Sequence, residues 1–124
     1  MASDQLEFFQ QMAEDDGRYR REAYSFTLEA FNHTMEERRK QGLTGHISGA
    51  ELCEGIRAHA EHSFGYLTKT VFSQWGVTRT DDFGEIVFGM IEHGILSKHE
   101  DDRKEDFADA FSFDDVFEKS LIYD

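Results

Sequence analysis

The chain has 124 residues, a length that predicts one domain over residues 1–124 with a core of its own. Twelve Phe, four Tyr and one Trp supply enough apolar area to exclude an intrinsically disordered chain, despite a formal net charge of −13. That charge disfavours nucleic acid and anionic membranes as partners, because both repel an acidic chain. A single cysteine, an acidic start and no long apolar run predict a cytoplasmic protein without a membrane span.

The hydrophobic pattern of the first forty residues predicts two helices. The first is short, and it ends at the turn-forming residues 15–17. Its apolar positions are Leu6, Phe8, Phe9 and Met12. The second is the longest in the chain, from Tyr19 to Gln41, with Gly42 as its stop. Its apolar face comprises Tyr24, Leu28, Phe31 and Met35.

Three further helices follow a brief connection at 44–48, in which His46 and Ile47 allow a very short strand. Ser48 and Glu51 form a capping-box pattern that opens the third helix. The fourth is predicted to end at Gly76. Thr78 or Thr80 is predicted to cap the start of the fifth, which stops at Gly94. The apolar stripes are Leu52, Ile56, Ala60 and Phe64 in the third helix, Leu67, Val71 and Trp75 in the fourth, and Phe83, Ile86, Val87, Met90 and Ile91 in the fifth.

The last thirty residues allow two interpretations. The favoured one is an antiparallel hairpin, with a strand from Ile95 and a return near Phe111. The other is a solvated loop that leads into a short helix from Asp114 to Lys119. The predicted fold class is therefore mainly α (α+β), with a small antiparallel β-hairpin near the C-terminus. Two glycines inside the fifth helix, Gly84 and Gly89, predict close approach of another backbone, that of the long helix.

Helix, turn, helix and hairpin in this order resemble a winged-helix domain, with WGVTRTDDF at the turn. A DNA-binding version would carry Arg, Lys, Asn or Gln early in its second helix, to contact bases and phosphates. This chain has Asp81, Asp82 and Glu85 there, and the wing tip consists of Glu100, Asp101 and Asp102. The alternative of a DNA-binding regulator is therefore disfavoured.

Most of the chain also resembles a family of uncharacterised small proteins restricted to Verrucomicrobia and Planctomycetes. The similar stretches are HISGAELCEGIR, QWGVTRTDDFGEIVFGMIEHGILSK, EDFADAFSFDDVF and the part from Tyr24 to Phe31. This resemblance implies no activity, cofactor or catalytic residue.

Histidines and the single cysteine are the only residues that suggest chemistry. His59 and His62 lie three apart on the third helix and are the candidate metal ligands, but no carboxylate lies three or four positions from either to complete a site. They are better explained as an edge-of-core residue and a solvated one. Cys53 adjoins Leu52 inside the same helix and is interpreted as a structural thiol. We therefore expect no cofactor.

The phenylalanine-rich end is the candidate partner-binding region. Its residues are Phe107, Phe111, Phe113 and Phe117, together with Asp114 and Asp115. The rings either cover the core as a lid, which is the favoured interpretation, or form an apolar patch with an acidic edge for a protein partner. The same residues could close a homodimer.

These observations favour a non-enzymatic interaction or regulatory module that binds a protein, possibly a basic one, through an acidic surface. The first alternative is a small metal-dependent protein or enzyme that uses His59 and His62. The second is the DNA-binding regulator.

Overall fold

The computed structural model describes residues 2–117, with side chains from residue 5 onward, and every regular element in this range is helical. The α-helices are α1 Ala2–Asp16, α2 Arg21–Lys40, α3 Gly49–Phe64, α4 Thr68–Gln74, α5 Thr80–Glu92 and α6 Phe113–Phe117. Short 3₁₀ turns at Gly65–Leu67 and Lys104–Phe107 precede α4 and α6. Within the described range, no helix is long and apolar enough to cross a bilayer. The mainly α prediction is confirmed.

The start of α3 follows directly from the sequence. The Ser48 hydroxyl accepts a hydrogen bond from the Glu51 N–H at 3.1 Å, and the Glu51 carboxylate accepts one from the Ser48 N–H at 3.0 Å. The predicted capping box is confirmed. Each side chain satisfies a backbone donor that the first turn of a helix leaves without a partner.

The start of α5 uses a different side chain from the one predicted. The Asp82 carboxylate accepts hydrogen bonds from the backbone N–H groups of Thr78 at 2.9 Å and Arg79 at 3.3 Å. It also accepts a bond from the Tyr19 hydroxyl at 2.6 Å, which joins α5 to the segment before α2. The prediction of a threonine cap is wrong, because Thr80 lies one residue inside the helix.

The β-hairpin predicted between Ile95 and Phe111 is wrong, and so is a strand at His46–Ile47: residues 2–117 contain no strand. The chain turns at Gly94, whose φ is 78°, and the N–H groups of Ile95 and Leu96 both bond to the carbonyl of Met90. Because these two N–H groups close the end of α5, they are not free to donate the inter-strand hydrogen bonds of a hairpin. The two-stranded wing of the predicted winged-helix order is therefore absent from residues 2–117.

The other interpretation of the C-terminal part, a loop leading into a short helix, is closer to the structure. The chain from Ile95 to Arg103 is irregular, and α6 begins at Phe113, one residue before the predicted start. Its predicted end at Lys119 lies outside the described residues. A helix forms here instead of the returning strand because Phe113 and Phe117, four positions apart, then both face the core.

Phe72 lies at the centre of the core. Its ring is fully buried, and its centroid lies within 5.2–5.8 Å of five others, those of Phe26, Trp75, Phe83, Phe113 and Phe117. The stripe predicted for α4 is therefore rotated by one residue: Thr68 and Phe72 are buried, whereas Leu67 is exposed. The 3₁₀ turn before α4 changes the helical phase, which a continuous 3.6-residue pattern cannot anticipate.

The outer helices also differ in part from the predicted faces. In α1, Phe9 and Met12 are buried, but Leu6 and Phe8 are exposed. In α2, burial is centred on Tyr24, Phe26, Thr27 and the two alanines Ala23 and Ala30, so Met35 is left at the surface. The small residues on this face let neighbouring elements pack closely against α2.

Contrary to the prediction, the nearest atoms to a Cβ at either glycine of α5 do not belong to the backbone of the long helix. A Cβ at Gly84 would lie 3.0 Å from Phe107 Cβ and 3.2 Å from the Lys104 carbonyl oxygen, so the close neighbour is the 3₁₀ turn before α6. A Cβ at Gly89 would make only ordinary contacts with side chains. Gly84 therefore positions the C-terminal segment against α5.

Candidate functional site

Residues 100–115, which we call the acidic segment, hold an unusual concentration of charge. They contain eight carboxylates and two cations, which gives a net charge of −6 over sixteen residues. All but Asp102 of these eight are in exposed residues, and Asp102 is half-buried. A run of like charge normally repels itself and stays disordered. Here, hydrogen bonds to Thr80 and Asp81 hold the segment in one conformation.

The buried hydroxyl of Thr80 is the main attachment of the acidic segment. It donates a hydrogen bond to the Phe107 carbonyl at 2.7 Å and accepts one from the Ala110 N–H at 3.0 Å. The neighbouring carboxylate of Asp81 accepts a bond from the Asp109 N–H at 3.2 Å. Burial alone would raise the pKa of Asp81, but this backbone bond and the Arg79 guanidinium hold it below its usual value.

The predicted partner-binding residues divide into an inner and an outer set. Phe107, Phe113 and Phe117 are buried in the core, and Phe111 is half-buried, so these rings cover the core as the lid interpretation predicts. Asp114 and Asp115 are exposed, and Asp114 forms an ion pair with Lys69 at 2.5 Å. The rings do not form an open apolar patch.

An apolar pocket lies beside the acidic segment instead. Its volume is about 340 Å³, and it opens between α2, α3, α5 and the loop after α5. Its apolar lining includes Phe31, Met35, Ile47, Leu52, Val87, Phe88, Ile91, Ile95, Leu96 and Phe107. Met35 is 37 % exposed at the surface. Pockets in this size range accept small ligands or apolar side chains of a partner.

Two loops meet at the edge of this pocket through His46, His99 and Asp102. His46 Nε2 lies 2.6 Å from the Asp102 carboxylate, and the two imidazole centroids are 3.9 Å apart. The other oxygen of Asp102 accepts a hydrogen bond from the His99 N–H at 2.8 Å. The Arg38 guanidinium donates to the carbonyls of Thr44 and His46, which fixes the first loop.

The Asp102 carboxylate orients the imidazole of His46. The Ser48 hydroxyl, which also lines the pocket, already serves as the cap of α3. Cys53 is buried, and burial raises the pKa of its thiol to about 12, so it is protonated at neutral pH. Nucleophilic catalysis needs a nucleophile within hydrogen-bonding reach of its base. Among the described contacts, the imidazole of His46 is hydrogen-bonded to Asp102 and not to Ser48 or Cys53.

The predicted histidine pair is not brought together as a metal site. His59 is half-buried against Phe26 and faces α2, with its Nε2 3.4 Å from Glu29 and its ring 5.7 Å from that of His33. His62 is exposed. Among the side chains that the structure describes, no three His, Cys, Asp or Glu converge as metal ligands.

Most of the cations are neutralised by the chain itself. Of the twelve Lys and Arg side chains between residues 5 and 117, nine lie within 4.0 Å of a carboxylate. Arg79, in the turn between α4 and α5, pairs with Asp81 at 2.8 Å. Little positive charge is left to contact a phosphate backbone.

Sequence reasoning did not find the pocket or its polar edge. His46 and His99 are 53 positions apart and lie on loops, where no periodic signal exists. Ile95 and Leu96 stood out as apolar, but they were assigned to a strand. Comparisons with protein-family models, with curated proteins and with solved structures find no match to this chain.

Proposed function

We propose that the protein is a non-enzymatic interaction or regulatory module, and that it binds a basic protein through its acidic segment. The observation that carries this proposal is the fixed presentation of the segment: eight carboxylates on a backbone that Thr80 and Asp81 attach to the core. Because the backbone is already ordered, a partner binds without the entropy cost of folding the segment.

Charge balance supports a basic partner. The chain carries a formal net charge of −13, and its described cations are mostly paired internally, so its long-range field is negative. Such a field accelerates association with a cationic partner and slows association with nucleic acid. Attraction of this kind weakens as salt rises, because exposed charges are screened beyond about 8–10 Å at physiological ionic strength.

A matched pair of variants tests the proposal. In the first, four acids of the segment become amides: Glu100→Gln, Asp101→Asn, Glu105→Gln and Asp115→Asn. The control makes the same change of charge elsewhere: Glu7→Gln, Glu14→Gln, Asp15→Asn and Glu92→Gln. All eight positions are exposed. The immobilised proteins are incubated with native lysate at low and at high salt, and the retained proteins are identified by mass spectrometry.

We expect wild type and the control variant to retain the same basic proteins at low salt and to release them at high salt. The segment variant should retain much less of them. Equal retention by the two variants would contradict a role for the acidic segment. Retention that salt does not weaken would contradict the electrostatic basis of the proposal.

A further inference from the structure

The pocket beside the acidic segment has an apolar surface that the other residues described by the structure leave uncovered. Its walls are apolar side chains from α2, α3 and α5, and Met35 at its opening is 37 % exposed. Exposed apolar surface in a concave site costs free energy in water and marks a place where another apolar group binds. A volume of about 340 Å³ accommodates one or two large apolar side chains.

Charge around the opening distinguishes among the possible occupants. One wall is the first part of the acidic segment, where Asp102 and Asp106 line the pocket and Glu100 and Asp101 lie beside it. Arg103 is the one Lys or Arg among the described lining residues. A second copy of this chain would bring another −13 charges to the same place, and an anionic lipid surface would be repelled as well. A cationic occupant is attracted.

We infer that this pocket receives an apolar anchor side chain from a Lys- or Arg-rich segment of the partner protein, while the acidic segment contacts the flanking cations. This inference rests on the proposed function and deepens it. An amphipathic helix that places Leu, Met or Phe at one-turn spacing in a groove, with basic residues on both sides, has this chemistry. The loops joined by His46, His99 and Asp102 form one edge of this pocket.

Synthetic peptides serve as the probe. One is an amphipathic Lys/Leu peptide with Leu at positions four apart, and the other has the same Lys content with Ser in place of Leu. Burying one large apolar side chain stabilises a complex by about 1.5–3 kcal/mol, which corresponds to about 10- to 100-fold in Kd. The Lys/Leu peptide should therefore bind at least about tenfold more tightly than the Lys/Ser peptide. Both affinities should fall as salt rises.

Two variants change the pocket at exposed positions, and each has a matched control. Met35→Asp places a charge at the opening, and Leu67→Asp makes the equivalent change at an exposed leucine that does not line the pocket. Ser97→Trp places an indole against the opening, and Ser63→Trp is its control on α3. Circular dichroism and thermal melting show whether each variant folds. If one pocket variant fails to fold, the other still tests the inference.

The expected result is that Met35→Asp and Ser97→Trp weaken Lys/Leu binding about tenfold or more, to the level of the Lys/Ser peptide, while both controls leave it unchanged. If the two peptides bind equally and the pocket variants have no effect, the pocket inference is wrong and the electrostatic function stands. If neither peptide binds at low salt, the proposed function fails. If the pocket variants abolish binding of a neutral apolar dye but not of the peptide, the pocket serves a small apolar ligand, which also overturns the inference.

Discussion

Replacing Thr80 by Val tests whether one buried hydroxyl holds the acidic segment on the core. The two side chains have nearly the same shape, so the change removes the hydroxyl without creating a cavity. Two hydrogen bonds disappear, the one to the Phe107 carbonyl at 2.7 Å and the one from the Ala110 N–H at 3.0 Å.

The cost of this change can be worked out from the burial of each group. The hydrogen bond to the Phe107 carbonyl is buried, so losing its partner costs about 1–3 kcal/mol. The bond from the Ala110 N–H is only partly buried, and this donor can regain water at a net cost of about 0.5–1.5 kcal/mol. Together they predict a loss of about 1.5–4.5 kcal/mol in the free energy of unfolding.

The assay is urea unfolding of wild type, Thr80→Val and the control Thr80→Ser. Serine keeps the hydroxyl and loses one methyl group, so it should cost only about 1 kcal/mol. Hydrogen exchange at residues 107–110 should accelerate in the valine variant before global unfolding does. A valine variant within about 0.5 kcal/mol of wild type, or one more stable than the serine variant, would refute the reasoning.

Three further outcomes follow from the packing and the titrating groups. Gly76→Ala should lower the melting temperature by more than Gly42→Ala does. Both glycines have a positive φ, but only at Gly76 would the new Cβ also lie 2.3 Å from the Arg18 carbonyl oxygen. Equal losses in the two variants would contradict this contact. Cys53, whose thiol pKa burial raises to about 12, should react with a thiol reagent only as fast as the protein unfolds; rapid labelling of the native state would contradict its burial. The bond from the Ser48 N–H lowers the pKa of Glu51 below its usual value. Its capping contribution is therefore fully present above the usual pKa of a glutamate and is lost as pH falls through the lower pKa of the folded state, so the stability difference between wild type and Glu51→Gln should shrink in acid; a constant difference would contradict the assignment.

Helix ends were the most predictable feature of the fold, because they depend on neighbouring residues. The capping box of Ser48 and Glu51 and the stops at Gly42 and Gly94 need no tertiary information. Both ends of α2 and the start of α3 accordingly agree with the predictions to within two residues.

Features that depend on distant contacts could not be predicted. Phe72, rather than Val71, enters the core because the 3₁₀ turn before α4 changes its phase. The apolar side chains of Ile95 and Leu96 predict a strand, but the N–H groups of these residues close α5 and their side chains line the pocket. The role of Thr80 depends on two groups 27 and 30 positions away.

For the same reason, the sequence predicted only part of the candidate site. Its acidic character and the phenylalanines that support it are properties of one stretch of sequence. The pocket is built from three separate stretches of sequence, and its polar edge joins His46 to Asp102 across 56 positions. A single sequence carries no signal for such a juxtaposition.

Chemical-shift mapping tests the central claim most directly. The ¹⁵N-labelled protein is titrated with the Lys/Leu peptide at low salt, and the perturbed backbone amides are assigned. We predict that they cluster in residues 99–110 and along the pocket walls on α2, α3 and α5, and that added salt reverses the changes. Perturbations spread evenly over the surface, or concentrated at a different face of the molecule, would contradict the account.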